Sequence, residues 1–334
     1  MKILVTGGNG FLGSWIVRAL VNKGHVVRVL HRKSSVMNSL KNISYESALG
    51  DVTEYSTVLE AACGMDAIFH AAAVIAYSPL ERTLMERVNV YGTENVVRAA
   101  IDAKVQKFVH TSSVVAVGAT LEPRLLHEES PYEMSQYNFG YYETKFHAEE
   151  LIRSAVRSGK LDAVIVNPSI MFGPGDAVKG SRKTHLKVAS GLIPFYPTGG
   201  INIADVEDVV EGHILALKKG RAGERYILGG DNILVKDLFD LLAQFGGHRA
   251  PMIPLSSIIL RSLARVTELA ERYSYKINIP VESAIASTMY HWYDLSKARK
   301  ELGYNPKPAY GAVKKSVQWC FENGYLTPGP RLKI

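Results

Sequence analysis

Short apolar runs alternate with longer amphipathic stretches along the first two thirds of the chain. The runs are rich in valine, isoleucine and alanine, which is typical of strands buried on both faces. The predicted strands are residues 3–5, 26–30, 43–45, 67–71, 107–111, 163–166 and 226–228. Helical patterns fall between them, at residues 56–62, 85–103, 141–158 and 209–218. This order predicts an α/β fold with a doubly wound parallel sheet, which binds ligands at the carboxyl ends of its strands.

The chain begins MKILVTGGNGFLG, in which a strand turns directly into a helix. Gly7, Gly10 and Gly13 are spaced three residues apart and let a ligand approach the bare backbone. At Phe11 and Leu12 the first helical turn has N–H groups without helical partners, and the helix dipole adds positive charge. The segment therefore predicts a Rossmann-type turn that holds the pyrophosphate of a dinucleotide.

The regular alternation weakens after the sixth predicted strand. Loop signals such as Gly173-Pro174-Gly175 follow, and the pattern is mostly helical from Asp231 onward. The smaller C-terminal part is expected to cover the strand ends and bind the substrate. The predicted parts are a Rossmann dinucleotide-binding domain of residues 1–168 and 203–230 and a mostly helical substrate lobe of residues 169–202 and 231–334.

Composition and charge narrow the range of partners. The chain has 334 residues, a formal net charge of +7 and a pI near 9.2. Lys and Arg are interleaved with Asp and Glu, so we expect no nucleic-acid partner. No apolar run is long enough to span a bilayer, and the immediate start of a strand does not fit a signal peptide. Cys63 and Cys320 lie far apart and outside metal-ligand patterns, which predicts a cytoplasmic protein without a metal site.

The end of the second predicted strand should meet the adenosine ribose of the dinucleotide. NAD(H) is read there by a carboxylate, but this chain has Leu30-His31-Arg32-Lys33. Two adjacent cations favour a ribose 2′-phosphate, which predicts NADP(H) rather than NAD(H), with Arg32 as the main contact. Asp51 either accepts a hydrogen bond from the adenine or serves only as a turn residue.

Reducing a carbonyl with a nicotinamide needs a group that donates a proton as hydride arrives. A tyrosine, whose ordinary pKa is about 10, needs a nearby cation for this work at neutral pH. Tyr141 and Lys145 are spaced to share one face of a helix. Tyr293 and Lys297 have the same spacing but lie late in the second lobe, whereas Tyr141 follows the fifth strand beside the expected cleft. We therefore predict Tyr141 and Lys145 as a catalytic pair.

A hydroxyl to hold the substrate oxygen stands at the end of the fifth strand, in His110-Thr111-Ser112-Ser113. This strand end lies where the coenzyme and the substrate should meet. Ser113 is the predicted catalytic hydroxyl, Ser112 is the alternative, and Thr111 is expected to contact the coenzyme. A Ser-Ser pair also occurs as plain turn chemistry.

Further motifs stand beside those already described. They are Gly50-Asp51-Val52, His70-Ala71-Ala72-Ala73, Asn89-Val90-Tyr91-Gly92-Thr93, Thr144-Lys145-x-x-Ala148-Glu149, Asn167-Pro168-Ser169 and Asp294-Leu295-Ser296-Lys297. In this order they resemble the extended short-chain dehydrogenase/reductase family over nearly the whole chain. The resemblance implies that Tyr141 is the acid/base, that Lys145 binds the nicotinamide ribose and lowers the pKa of the tyrosine, and that Ser113 orients the carbonyl.

The resemblance also implies which residues surround the coenzyme. Val52 and residues 71–73 would lie against it, and Asn167-Pro168-Ser169 would set the face of the nicotinamide. Asn89 would hold a water in a proton path or support its helix. The helices at 85–103 and 141–158 resemble a pair that forms the dimer in many relatives, which implies a homodimer.

Arg32 and Asn167-Pro168-Ser169 make the chain most similar to one branch of the family. That branch contains dihydroflavonol reductases, 3β-hydroxysteroid dehydrogenases and bacterial ketone reductases. Sugar epimerases more often keep an acidic residue after the second strand, although hopanoid-associated sugar epimerases share the Asn-Pro-Ser motif.

The side chains expected to reach the substrate are largely apolar. They are Val74, Ile75, Tyr77, Met171, Phe172, Phe195 and Tyr196. We therefore predict an NADPH-dependent reductase of a hydrophobic ketone or aldehyde. The alternative is an NAD(P)-dependent nucleotide-sugar epimerase or dehydratase, in which Arg182, Lys183 and Lys187 would grip a second diphosphate.

An apolar stripe with helical spacing runs through residues 255–273, with arginines interleaved. Such a stripe commonly packs onto the rest of the protein or onto a partner subunit. The alternative is contact with a membrane surface, which would deliver a lipid-like substrate.

Overall fold

Strands and helices alternate in the computed structural model, which describes residues 1–176, 180–260, 262 and 281–331. The strands are β1 Lys2–Thr6, β2 Val26–His31, β3 Glu46–Leu49, β4 Ala67–His70, β5 Lys107–Thr111, β6 Leu125–Leu126, β7 Ala163–Pro168, β8 Ile170–Phe172, β9 Phe195–Pro197, β10 Gly200–Asp205, β11 Arg225–Leu228, β12 Asp231–Leu234, β13 Ile253–Leu255 and β14 Trp292–Tyr293. The helices are α1 Phe11–Asn22, α2 Tyr55–Ala62, α3 Arg82–Met85, α4 Gly92–Asp102, α5 Gly140–Arg157, α6 Gly180–Ala189, α7 Val206–Lys219, α8 Val235–Gly246, α9 Val281–Ala286 and α10 Tyr310–Glu322.

Seven of the strands form one parallel sheet in the order β3-β2-β1-β4-β5-β7-β11. Helices α1 and α7 cover one face, and α2, α4 and α5 cover the other, each over a layer of fully buried aliphatic side chains. The strand order reverses between β1 and β4, so a crevice opens at their carboxyl ends. The predicted doubly wound Rossmann sheet is confirmed.

The third strand begins later than the apolar run at residues 43–45 predicts. β3 pairs with β2 from Glu46 opposite Arg28 to Leu49 opposite His31. As an edge strand it is mostly exposed, so its sequence carries no apolar signal. Ile43 and Tyr45 pack against the core from the preceding loop instead. Backbone pairing, rather than side-chain hydrophobicity, decides this strand.

The helix predicted at residues 85–103 is interrupted by a wider turn. Residues Glu86–Tyr91 are wound as a π-helix between α3 and α4. Such turns are rare and occur mostly at functional sites. This one carries Asn89, which is 1% exposed.

A smaller assembly stands at the carboxyl ends of the central strands. A second sheet, with the order β12-β10-β8, packs with α6, α8 and α10 around its own buried cluster. The strands β12, β13 and β14 depart from the mostly helical pattern expected after Asp231. The division of the chain into two parts stays a prediction; β10, which begins at Gly200, spans one of its boundaries. Within the described ranges, no helix is both long and apolar enough to cross a bilayer.

Candidate active site

A cleft of about 860 Å³ opens where the central strands end. Most of the predicted site residues line it, on both sides of the crevice. They are Gly7, Gly10, Phe11, Leu12, Gly13, His31, Arg32, Asp51, Val52, Ala71, Ala72, Ala73, Val74, Tyr77, Thr111, Ser113, Tyr141, Lys145, Pro168, Ser169 and Met171. Lys33, Asn167 and Phe172 do not line it. One cleft therefore holds nearly all of the chemistry that the sequence points to.

The glycine turn brings three backbone segments into close contact. Gly7 has a φ of +70°, and a Cβ there would lie 2.6 Å from the backbone nitrogen of Ala72. A Cβ on Gly13 would collide with the carbonyl oxygen of Gly7. The N-cap of α1 is Gly10, which has no side chain to cap the helix. The N–H groups of the first turn are thus left for an anion in the cleft.

The part of the cleft beside the end of β2 carries a basic side chain. Arg32 lines it, and none of the described acidic side chains pairs with its guanidinium. The ring of His31 is held by Ser47, with Nε2 2.6 Å from the hydroxyl oxygen. Ser35 also lines the cleft and accepts a hydrogen bond from the Arg32 backbone N–H at 3.2 Å. Lys33 lies outside the cleft, so only one of the two adjacent predicted cations faces it.

Asp51 combines a turn contact with a place on the cleft wall. Its Oδ1 accepts hydrogen bonds from the backbone and the hydroxyl of Thr53, at 2.9 and 3.0 Å. The residue also lines the cleft. Both of the roles considered from the sequence are therefore compatible with its position.

The predicted catalytic groups meet in the middle of the cleft. Tyr141 lies in the first turn of α5, and it lines the cleft together with Ser113, whose hydroxyl lowers the pKa of the phenol against the larger, raising effect of burial. Ser113 follows β5 and caps a short 3-10 turn at residues 114–116. The Lys145 ammonium donates to the Thr111 carbonyl oxygen at 2.9 Å, which ties α5 to the end of β5. One helix and one strand end thus present the phenol, the ammonium and the hydroxyl together.

Burial governs the protonation of this group. Burial, reinforced by Tyr77, raises the pKa of Tyr141, and the hydrogen bond from Ser113 partly opposes the rise. Burial also lowers the pKa of Lys145 to about 8, against the raising effect of Glu149. In this state of the protein the phenol is therefore not acidified as the sequence predicts. It is a neutral phenol with its proton in place at pH 7.

Asn167 lies behind the cleft rather than on its wall. It is fully buried, and its Nδ2 donates to the Ser113 carbonyl oxygen at 2.9 Å and to Glu149 Oε1 at 2.5 Å. Glu149 also accepts from Arg225 Nη1 at 3.2 Å, and both side chains are almost fully buried. Asn167 thus fixes the backbone of Ser113, a role that its motif alone does not reveal. The sequence of β11 gives no sign that Arg225 reaches this buried group.

Asn89 joins the loop after β4 to helix α5. Its side-chain amide exchanges two hydrogen bonds with the backbone of Val74, at 2.8 and 2.9 Å. Its Nδ2 also lies 3.2 Å from Thr144 Oγ1, which in turn donates to the Tyr141 carbonyl oxygen. The π-helix places this amide between the two segments, so Asn89 supports both of them.

The part of the cleft beside Tyr141 is mainly apolar. Val74, Ile75, Tyr77 and Met171 line it as expected, and so does Phe195. The rings of Tyr77 and Tyr141 meet edge to face at 6.1 Å. These side chains form an apolar surface beside the Tyr141 phenol.

Two aromatic residues predicted to reach the substrate pack elsewhere. Phe172 is fully buried in the smaller assembly, where it stacks on His185. Tyr196 lies outside the cleft lining and carries the Lys236 ammonium over its ring at 5.4 Å. Alternate residues of a strand face opposite ways, so Met171 and Phe195 line the cleft while Phe172 and Tyr196 turn away.

The basic residues considered for a second diphosphate are divided. Arg182 lines the cleft, but its guanidinium is buried in an ion pair with Asp176 and donates to the Met171 carbonyl oxygen at 2.6 Å. Lys183 and Lys187 are exposed and lie outside the cleft lining. This arrangement leaves little free positive charge for a sugar nucleotide.

The cleft is also lined by a polar pair that the sequence did not predict. The Tyr142 hydroxyl oxygen lies 2.7 Å from His291 Nε2, and both residues line the cleft. Burial lowers the pKa of His291 to about 4, so its ring is neutral. Only the fold brings these residues together, since they lie far apart in the chain.

Sequence comparison identifies a family and several relatives for this chain. The model of the NAD dependent epimerase/dehydratase family matches residues 3–229. Sterol demethylase protein B of Methylococcus capsulatus is 31% identical over 98% of this chain and 100% of its own. A 3-beta-hydroxysteroid dehydrogenase of Mycolicibacterium neoaurum is 29% identical over 91% of this chain and 87% of its own.

A solved structure shows the same fold over the whole chain. The crystal structure of gox2253 is 36% identical, with a TM-score of 0.88, and the match covers 98% of this chain and 99% of that one. The resemblance to the extended short-chain dehydrogenase/reductases that the motifs indicate is confirmed.

Proposed function

The chain belongs to the NAD dependent epimerase/dehydratase family, and we propose that it is an NADPH-dependent reductase of a hydrophobic ketone or aldehyde. Enzymes of this family are oxidoreductases, epimerases or dehydratases, so the choice rests on the cleft. One observation carries the proposal: the Tyr141–Ser113 pair faces an apolar wall. The relatives that act on sterols or steroids by name support the same substrate class.

The cleft fits a dinucleotide with an extra phosphate. The uncapped first turn of α1 suits the pyrophosphate, and the turn keeps its tight shape because a side chain at Gly7 or Gly13 would collide with neighbouring backbone atoms. Arg32 and Ser35 together offer a guanidinium and a hydroxyl to a ribose 2′-phosphate. The Lys145 ammonium lies at the end of β5, on the Thr111 carbonyl oxygen, and would hold the nicotinamide ribose there.

In the proposed reaction the residues of the cleft handle the proton and the carbonyl. The coenzyme supplies the hydride when bound. Ser113 donates a hydrogen bond to the carbonyl oxygen, and Tyr141 transfers its phenolic proton to the same oxygen. Lys145 stabilises the phenolate that remains, because an ammonium nearby favours the charged form. Asn167 keeps Ser113 in place through the backbone.

The test of this function is a titration followed by a substrate panel. NADPH and NADH fluorescence titrations should show tighter binding of NADPH. A panel of aliphatic, aromatic and steroid ketones and aldehydes should then show NADPH oxidation that rises with the hydrophobicity of the carbonyl compound. A preference for NADH of about tenfold, or 1.4 kcal/mol, would contradict the coenzyme assignment.

Epimerase or dehydratase activity is the second candidate, because the matching family model carries that name. Such an enzyme oxidises and reduces its substrate in turn and keeps its coenzyme. It predicts purified protein that releases NAD(H) on denaturation and that turns over nucleotide sugars. The pairing of Arg182 with Asp176 argues against it.

Arg32 should decide the coenzyme preference. We expect Arg32→Asp to weaken NADPH binding about 10- to 100-fold, because a charge-assisted contact to phosphate is lost, and to leave NADH binding unchanged or tighter, because the new carboxylate can accept from the ribose hydroxyls. Lys33→Asp is the matched control, since it makes the same charge change outside the cleft. It should weaken NADPH binding by no more than about threefold. Equal losses of NADPH affinity in both variants would show that the overall positive charge of this region, and not the position of Arg32, determines the coenzyme preference.

The affinity for NADPH should depend on pH through Lys145. Burial lowers the pKa of this lysine to about 8, so its ammonium is present below that pH and is lost above it. We therefore expect NADPH affinity to be steady near pH 7 and to fall by up to about tenfold per pH unit above pH 8. Fluorescence titrations across this range measure the effect. In Lys145→Met the alkaline fall should vanish; its persistence would point to another group.

A further inference from the structure

Six large apolar side chains are exposed at the outer edge of the cleft. They are Leu192, Phe195, Met252, Ile253, Ile258 and Ile259, whose exposed fractions run from 41% to 81%. We call this set the apolar rim. Scattered exposed apolar residues are ordinary, but a contiguous group usually marks a contact surface.

Backbone pairing holds the apolar rim together. Strands β9 and β13 run parallel, with Phe195 opposite Ile253. The backbone N–H groups of Met252 and Ile253 both donate to the Pro194 carbonyl oxygen, at 3.0 and 3.1 Å. Two segments distant in sequence thus present their apolar side chains side by side.

The apolar rim continues into the substrate end of the cleft. Phe195 is 41% exposed and also lines the cleft, so it belongs to both surfaces. Further along the same two strands, Pro197 and Leu255 line the cleft, as do Ile193 and Leu260. A hydrophobic molecule can therefore pass from the apolar rim towards Tyr141 without crossing a polar barrier on these strands.

The charges on the two segments that carry the apolar rim are all positive, and the neighbouring helix α8 adds a Lys236–Asp240 ion pair beside Tyr196. Residues 183–195 and 249–260, which carry it, contain no Asp or Glu. They do contain Lys183, Lys187 and Arg249, which are exposed. Arg249 follows His248, whose ring would touch a Cβ on Gly191, so these basic positions adjoin the apolar residues. Apolar side chains flanked by cations suit an interface with anionic lipid.

We propose that the apolar rim docks on the surface of a bilayer that contains anionic lipids, with the mouth of the cleft against the acyl chains. The docking proposal depends only on the apolar rim. The uptake of a hydrophobic carbonyl compound from the bilayer rests on the proposed reductase function. Of the predicted stripe at residues 255–273, Leu255 and Ile259 belong to this region, while Leu263, Val266, Ala270 and Tyr273 lie outside the described residues.

Vesicle co-sedimentation tests the docking without any substrate. The full chain should sediment with vesicles of phosphatidylcholine and phosphatidylglycerol in equal amounts, and much less with phosphatidylcholine alone. Met252→Ser/Ile253→Ser should lower the partition coefficient at least about tenfold, because the inserted apolar surface is lost. Leu121→Ser/Leu125→Ser, which changes two exposed leucines away from the rim, should stay within about twofold of the unaltered chain.

A charge-reversal variant gives an independent reading. Lys187→Glu/Arg249→Glu should also lower binding to the anionic vesicles at least about tenfold, and this variant keeps the apolar rim intact. Melting temperature and NADPH binding show whether each variant is folded. Vesicle binding by one folded variant, either the serine or the glutamate variant, is sufficient to test the docking.

Three results would overturn the proposal. The first is failure of the unaltered chain to sediment with either vesicle, and the second is a folded rim variant that binds as tightly as the unaltered chain. The third is a change of oligomeric state in analytical ultracentrifugation when the rim is altered, which would assign the surface to a second copy of the chain. None of these readings depends on whether a carbonyl compound is reduced, so failure of the docking and failure of the proposed reductase are distinguishable.

Discussion

Tyr141→Phe is expected to lower kcat by about 10²- to 10⁴-fold, which is the range of a general acid. The ring and its contact with Tyr77 remain, and only the phenolic hydroxyl is removed. The affinity for NADPH should stay within about threefold, because the phosphate contacts are at the other end of the cleft. Steady-state turnover of the best substrate from the panel and fluorescence titration of NADPH measure the two effects.

Tyr310→Phe is the matched control for this variant. Tyr310 is exposed on α10, and its ring packs against Phe245, so losing its hydroxyl should change neither kcat nor coenzyme binding. Full activity in Tyr141→Phe would remove the phenol from the reaction. A large loss of coenzyme affinity together with activity would mean that the hydroxyl acts in binding rather than in proton transfer.

Arg225→Met is expected to destabilise the protein by about 3–5 kcal/mol, because it leaves the buried Glu149 carboxylate with only the partly exposed Arg153, at 3.7 Å, as its cation. Glu149 is 1% exposed, and Arg225 reaches it from the neighbouring β11. Arg225 also donates to the carbonyl oxygen of Glu128 at 2.6 Å, which holds the loop beyond Ser113. Urea unfolding with linear extrapolation gives the free energy of unfolding.

Two further variants isolate the cause of that loss. Glu149→Gln in the Arg225→Met background removes the buried charge and should recover a large part of the stability. Arg124→Met breaks an exposed ion pair with Glu133 and should cost no more than about 1 kcal/mol. A double variant as unstable as Arg225→Met would attribute the loss to packing and to the backbone hydrogen bonds.

Tyr141 carries the proton that the proposed reduction uses. Burial raises the pKa of the phenol, so it is protonated at neutral pH. The Lys145 ammonium, whose pKa burial lowers to about 8, donates to the Thr111 carbonyl oxygen at the end of β5.

The sequence by itself determined the sheet, the glycine turn and the placement of Tyr141 and Lys145 one helical turn apart in α5. These depend on local patterns: strand runs, glycines that must admit close backbone approach, and a spacing of one helical turn. Only the tertiary structure decided that Asn167 serves behind Ser113 and that Arg182 is paired with Asp176. It also decided that β3 pairs along polar residues and that Tyr142 meets His291. Each of these depends on contacts between segments far apart in the chain, and such contacts leave no periodic trace in the order of residues.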